Sequence, residues 1–217
     1  MTNAVDVNSP SVFLIEDDEN QRRYLATIIE SADWTVQPFS SAQAFLNRYS
    51  NDQPGCLILD LLLPDTNGLD LQMDLRAREA TLPIIFISTH SELSVVKQAF
   101  KNGAQDYFQK PVNPLELLDS IKEAIALDTQ RRQQHGIHRD IETRINDLTT
   151  RERTVLNNLL AGQSNHEIAQ TLHISVRTVE THRYHILKKM RVNHLHELIR
   201  IMANGQFIGL PAGQTSH

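Results

Sequence analysis

The chain has 217 residues, 40% apolar and 22% charged, with a formal net charge of −5; this excludes a disordered or fibrous class and suits one large domain or two ordinary ones. The charge is unevenly divided: residues 1–128 hold nine Lys and Arg against 19 Asp and Glu, and residues 129–217 hold 12 against seven, so an acidic half of −10 precedes a basic half of +5. One cysteine, Cys56, excludes an internal disulfide, and neither a secretion-type N-terminus nor an apolar run near the roughly 20 residues of a membrane span is present, so a cytoplasmic protein with no membrane partner is expected.

From Ser11 to Asp128, short apolar runs alternate with amphipathic stretches: SVFLI then NQRRYLATIIESA, TVQPF then SAQAFLNRY, CLILD then GLDLQMDLRA, PIIFIS then ELSVVKQAFKNG, and DYFQK then NPLELLDSIKEAIAL. Five strand and helix pairs predict an α/β domain over 1–128, a doubly wound five-stranded parallel sheet of flavodoxin-like type. Its central strands read as continuous apolar runs because both faces are covered. Residues 129–147 are polar and helix-permitting, interrupted at Gly136, and form an expected helical linker. Ile137, Ile141, Ile145 and Leu148 make one apolar stripe, free to pack on either domain or to pair with a second copy. Residues 148–204 read as short helices, with Ser164 and Ser175 at N-cap positions and Gly162 closing the first helix. This is an all-α helix-turn-helix domain, followed by a flexible tail at 205–217.

In an open parallel sheet, ligands bind outside the carboxyl ends of the strands. There the first strand ends in Glu16 and Asp17, the third in Asp60, the fourth in Ser88, and Lys110 follows the fifth. An aspartate closing a run as apolar as CLILD needs a partner. Three clustered carboxylates repel one another unless a cation sits among them, and an all-oxygen set with few protein ligands suits Mg²⁺.

LIEDDE (14–19), LILDLLLPDTNG (57–68), IIFIST (84–89) and DYFQKP (106–111) make this half resemble the receiver domain of bacterial two-component response regulators. The resemblance implies that Asp60 accepts a phosphoryl group from a sensor histidine kinase, and that Glu16, Asp17 and Asp60 hold Mg²⁺ with the Leu62 backbone carbonyl. It further implies that Ser88 and Lys110 bind the phosphoryl oxygens, that Tyr107 is the switch aromatic, and that the Lys110–Pro111 bond is cis. The sequence departs from the family pattern at Glu16 for aspartate, Ser88 for threonine and Leu63 for methionine. Thr89, where Ala or Gly is usual, should narrow access to Asp60.

The basic half, residues 148–192, is similar to the LuxR-type helix-turn-helix at Gly162, Asn165, Glu167, Ile168, Ala169, Leu172, Ser175, Thr178, Val179, His182 and Lys188. With the receiver it points to the FixJ/NarL family. At 100° per residue Val179, His182, Ile186 and Met190 fall in one core-facing sector, while Arg177, Thr181, Tyr184 and Lys188 cluster opposite, with Glu180 nearby. The expected DNA-binding set is Arg177, Thr178, Glu180, Thr181, His182, Arg183, Tyr184 and Lys188, residues able to engage phosphates and base edges. Nine of the ten histidines follow residue 128, yet their spacing fits no zinc pattern.

These readings make the chain a phosphorylation-controlled DNA-binding transcription regulator, with double-stranded DNA and RNA polymerase as further partners. It would catalyse only its own phosphoryl transfer and dephosphorylation. Phosphorylation should remodel the surface of the helix at about 92–102 and the strand at 106–109, making a homodimer that buries Val95, Val96, Phe100 and Tyr107 and cross-pairs Lys97, Lys101 and Asp106. A DxD-type phosphatase is disfavoured because Leu61 and Leu62 follow Asp60, and nucleotide hydrolysis lacks a phosphate-cradling loop. The alternative is a phosphorylation-independent regulator or RNA binder that uses the receiver as a dimerisation module.

Overall fold

The computed structural model describes residues 9–89 and 92–204; the tail expected at 205–217 lies outside them. The chain divides into two compact units, Met1–Gln133 and Gln134–His217.

In the first unit the five expected pairs form in order: β1 (Ser11–Ile15), α1 (Glu19–Glu30), β2 (Thr35–Phe39), α2 (Ala42–Leu46), β3 (Gly55–Asp60), α3 (Gly68–Ala77), β4 (Ile84–Ser88), α4 (Leu93–Lys101), β5 (Asp106–Gln109) and α5 (Pro114–Asn146). The strands make one parallel sheet in the order β2-β1-β3-β4-β5. Alternate residues of each strand point to opposite faces. Phe13, Ile15, Leu57, Leu59 and Phe86 therefore pack under α2, α3 and α4, and Val12, Leu14, Ile58, Ile85 and Ile87 pack under α1 and α5. Both sets are buried, which is why these strands read as unbroken apolar runs.

Two corrections concern the segment after Asp128. The boundary between units falls inside α5, so 129–147 is not a separate element but, except for Asp147, the last part of that helix. Gly136 does not interrupt it. A glycine there costs about 1 kcal/mol relative to alanine, too little to break a helix anchored on both sides of it. Asp128, 1% exposed, accepts from the Gly55 amide at 2.8 Å and from Arg132 Nε at 2.6 Å. Arg132 in turn donates to the carbonyls of Asn51 and Gln53 at 2.8 and 2.6 Å. Of the apolar stripe, Ile141, Ile145 and Leu148 are buried in the core of the second unit, whereas Ile137 is 62% exposed.

That second unit holds α6 (Thr150–Leu160), α7 (Asn165–Leu172), α8 (Val176–Lys189) and α9 (Leu195–Asn204). Thr149 with Glu152 and Ser164 with Glu167 form capping boxes, and the Ser175 hydroxyl accepts from the Thr178 amide. Each satisfies backbone donors that a helix start leaves orphaned. The turn between α7 and α8 passes through His173 in the left-handed region, φ 54°. Val155, Leu156, Leu159, Ile168, Val179, Ile186, Met190, Leu198 and Met202 make the core. No helix among the described residues is long and apolar enough to cross a membrane.

Candidate functional site

Sheet register assembles the acidic cluster. Ile15 pairs with Leu59, so Glu16 follows β1 level with Asp60; Asp60 pairs with Ile87 and Ile87 with Phe108, so Ser88 comes one residue and Lys110 two residues beyond that level. The side chains of Glu16, Asp17 and Asp60 each place an oxygen within 4.8 Å of the others. Glu16 is 2% and Asp60 8% exposed, while Asp17 is exposed.

Lys110 Nζ lies 2.6 Å from Glu16 Oε2 and 2.5 Å from Asp60 Oδ2. Burial disfavours the charged form of Lys110, but its bonds to Asp60 and Glu16 outweigh this and hold the ammonium above the ordinary lysine range. Burial pushes the Glu16 carboxyl up, against the opposing pull of Lys110. One ammonium thus faces two buried carboxylates with a third beside them. The set is all oxygen, with no imidazole or thiolate, and its surplus negative charge is compatible with a divalent metal ion.

Other residues brace this end of the sheet. The Leu62 amide donates to Asp60 Oδ1 at 3.2 Å, which fixes the carboxylate's orientation. Gly68 is required by close approach: a Cβ there would stand 2.7 Å from the Asp60 carbonyl oxygen and 3.0 Å from the Phe86 ring. Ser88 is fully buried and shares a side-chain hydrogen bond with Tyr107, whose half-buried ring lies 6.0 Å from that of Phe86. Thr89 is exposed and lines a cavity of about 400 Å³ with Tyr24, Lys110 and Pro111. The Lys110–Pro111 bond is cis.

Two residues were missed in the sequence. Arg22 donates from Nη1 to the carbonyls of Glu16 and Asp17 at 2.6 and 3.0 Å, setting a positive charge behind the acids. Its signal was an arginine one turn after an acidic run, which reads as an ordinary solvated pair. Asp65 accepts from the Ala42 and Gln43 amides at 3.3 and 2.8 Å and ties the loop after β3 to the start of α2; no sequence pattern joins positions so far apart.

In the second unit, Arg177, Glu180, Thr181, Tyr184 and Lys188 are exposed along one side of α8, and Val179, Ile186 and Met190 are buried on the other. Thr178, His182 and Arg183 are half-buried between these faces. Thr178 shares a hydroxyl contact of 2.8 Å with the cap residue Ser175, so its side chain is engaged within the turn.

Comparison with known proteins agrees with both halves. Residues 12–122 match the response regulator receiver domain and residues 146–202 match the bacterial regulatory proteins of the luxR family. The chain is 36% identical to the response regulator protein TodT of Pseudomonas putida over 190 residues, covering 88% of this chain and 84% of that one. It is 33% identical to the transcriptional regulatory protein FixJ of Bradyrhizobium diazoefficiens, covering 88% and 93%. Among solved structures, the response regulator StyR matches with a TM-score of 0.84 and 34% identity over 90% of this chain and 98% of that one. A receiver implies a histidine kinase as partner and a LuxR-type domain implies DNA. The chain belongs to the two-component response regulators with a LuxR-type output domain, and is a phosphorylation-controlled transcription regulator.

Proposed function

We propose that Asp60 is the phosphoacceptor through which a sensor histidine kinase controls DNA binding by this chain. The observation that carries the proposal is the triad of Asp60, Lys110 and Glu16: a nearly buried aspartate whose carboxylate contacts an ammonium at 2.5 Å, with two further acids beside it. The carboxylate attacks the phosphorus of a phosphohistidine, the P–N bond breaks, and the imidazole leaves. Phosphoryl transfer asks for positioning and charge stabilisation more than for covalent help. Glu16, Asp17 and Asp60, with the Leu62 carbonyl, would hold Mg²⁺, which supplies neutralisation of phosphoryl charge when bound. Lys110 and Ser88 would take the phosphoryl oxygens, and Thr89 would limit approach to them.

Phosphorylation adds about −1.5 to −2 charges at this point. Lys110 and Ser88 are drawn toward it, and the hydrogen bond between Ser88 and Tyr107 hands the change to β5 and α4. Phe100 is 47% exposed, Lys97 and Lys101 are exposed, and Val95, Val96, Asp106 and Tyr107 are half-buried there, a surface suited to a two-fold dimer. Such a dimer would set two α8 helices on half-sites about 34–36 Å apart. Arg177, Glu180, Thr181, Tyr184 and Lys188 would face the major groove, with Thr178, His182 and Arg183 at its margin. At a promoter the bound dimer would contact RNA polymerase.

The protein would act in the cytoplasm, where its kinase and DNA meet. The Cys56 thiol, pushed up to about 12 by burial, would take no part in its chemistry. The only reactions it would catalyse are its own phosphorylation and dephosphorylation. Incubating the full chain with labelled acetyl phosphate tests the assignment. Label should enter only with Mg²⁺ and be absent from Asp60→Asn; a fully labelled Asp60→Asn would refute it.

A further inference from the structure

Within the helical unit, α6 and α8 end in the same way. After α6 the Gly162 amide donates to the Leu159 carbonyl at 3.0 Å and the Gln163 amide to the Asn158 carbonyl at 3.1 Å; after α8 the Arg191 amide donates to the Lys188 carbonyl at 3.2 Å and the Val192 amide to the Leu187 carbonyl at 3.0 Å. The residue at each turn is left-handed, with φ 81° at Gly162 and 54° at Arg191. Glycine suits that position, and Asn, Asp and His tolerate it; arginine has neither advantage. The helix closed on an ill-suited residue is α8.

Nothing in the fold of this unit asks for that side chain. Arg191 is exposed, and among the described residues its guanidinium makes no ion pair and no hydrogen bond. A cation at a helix C-terminus favours the helix dipole, but Lys188 and Lys189 already stand in the last turn, and the Met190 carbonyl already accepts from Arg144 Nη1 at 2.9 Å. A residue kept in a sparsely populated backbone conformation without a structural reason points to function. Its position says which function. Arg177, Thr181, Tyr184, Lys188 and Arg191 follow one another at intervals of four, three, four and three, the spacing of a single helix face. A recognition helix meets base edges with its N-terminal residues. At 1.5 Å per residue Arg191 lies about 20 Å beyond Arg177, which exceeds the roughly 12 Å width of the major groove.

We infer that Arg191 is a DNA phosphate contact of this chain, its guanidinium held against the sugar-phosphate strand at the margin of the groove that α8 enters. The planar fork of an arginine matches phosphate oxygens, and the left-handed turn carries it past the end of the helix toward them. The inference rests on the reading of α8 as the DNA-facing helix. Because a phosphate carries no sequence information, Arg191 adds affinity without adding specificity.

Arg191→Gly tests this, because its effects on DNA binding and on stability should have opposite signs. With acetyl phosphate and Mg²⁺ present throughout, binding of the full chain is followed from low to moderate salt on a duplex selected from a random pool and on one of scrambled sequence. The slope of log affinity against log salt should flatten by about 0.9 for each half-site bound, equally on both duplexes. In urea, Arg191→Gly should be at least as stable as the parent, since glycine relieves the left-handed backbone. Arg191→Asn, uncharged and tolerant of the same conformation, should lose the same slope, and Arg191→Lys, which keeps the charge, should retain most of it. Arg177→Ala is measured alongside. A slope lowered by Arg177→Ala and untouched by Arg191→Gly would overturn the inference alone, whereas slopes untouched by both would overturn the reading of α8 with it. A loss confined to the selected duplex would make Arg191 a base contact, and easier unfolding of Arg191→Gly would make it a structural fastening; either result overturns the inference.

Discussion

Each unit of this chain buries a carboxylate against a lysine, and the two contacts have opposite balances. In the helical unit, Glu152 is 4% exposed and lies 2.7 Å from Lys189. It also accepts from the Thr149 amide at 2.8 Å, so one acid has one ammonium and a capping role besides. Burial raises the Glu152 carboxyl, but the bonds from Lys189 and Thr149 overcome this and hold it below the ordinary range. In the receiver, Lys110 serves two buried acids with Asp17 alongside, and Glu16 moves up instead. A balanced contact is a structural fastening; an unbalanced one is held in readiness for more positive charge. Arg177 and Lys188 of α8 lie outside both arrangements and stay in solvent, as charges that are to recognise phosphates must.

Lys110→Met should break the comparison most forcefully. It leaves Glu16 and Asp60 side by side without their cation, and removing one member of a buried pair costs about 3–5 kcal/mol. The receiver's melting temperature should fall and recover in part with added Mg²⁺. A melting curve unmoved by the substitution would show that the acids are not held at a cost.

Arg177→Ala and Lys188→Ala should leave stability alone, because both side chains are exposed. Each should flatten the dependence of log DNA affinity on log salt by about 0.9 if it loses one phosphate contact. Binding isotherms from low to moderate salt read this directly, and unchanged slopes would remove α8's outer face from the interface.

Glu152→Gln should destabilise the helical unit by about 1–2 kcal/mol at neutral pH, through loss of its charged hydrogen bonds. The folded-state carboxyl is lowered, so its stabilisation is complete above the unfolded value of about 4.3 and is lost as pH falls through the folded value. Urea unfolding of wild type and variant should therefore diverge at pH 7 and converge in acid. A gap that persists below the folded value would assign the loss to packing rather than charge.

The smallest effect should come from Thr89→Ala, which opens the exposed edge beside Lys110. Acetyl phosphate labelling or hydrolysis of the phosphorylated chain should quicken by no more than about tenfold, near 1.4 kcal/mol of barrier. Identical rates would remove steric gating by Thr89.

How much of this was readable in advance follows from how far each interaction reaches along the chain. The sheet was legible because β1, β3 and β4 are buried on both faces, so their composition alone declares their place. The acidic cluster was legible because one register brings strand ends together, and motif spacing records strand ends. The two faces of α8 followed from helical periodicity. What escaped depends on contacts no period encodes: Arg132 grips Asn51 and Gln53 about 80 positions away, and Asp65 caps a helix that precedes it. Gly136 misled because its local preference is weak against a helix fixed at Asp128 on one side and at Ile141 and Ile145 on the other. Glu152 forms a capping box with Thr149, and nothing in the sequence announces that Lys189 joins it.

The central claim is that charge placed on Asp60 changes what α8 does. The most direct measurement is the affinity of the full chain for a duplex selected from a random pool, with and without acetyl phosphate and Mg²⁺, alongside Asp60→Asn under both conditions. The account predicts tighter binding by the treated wild type and no response from Asp60→Asn. Equal affinity of treated and untreated wild type, or an equal rise in the variant, would contradict it.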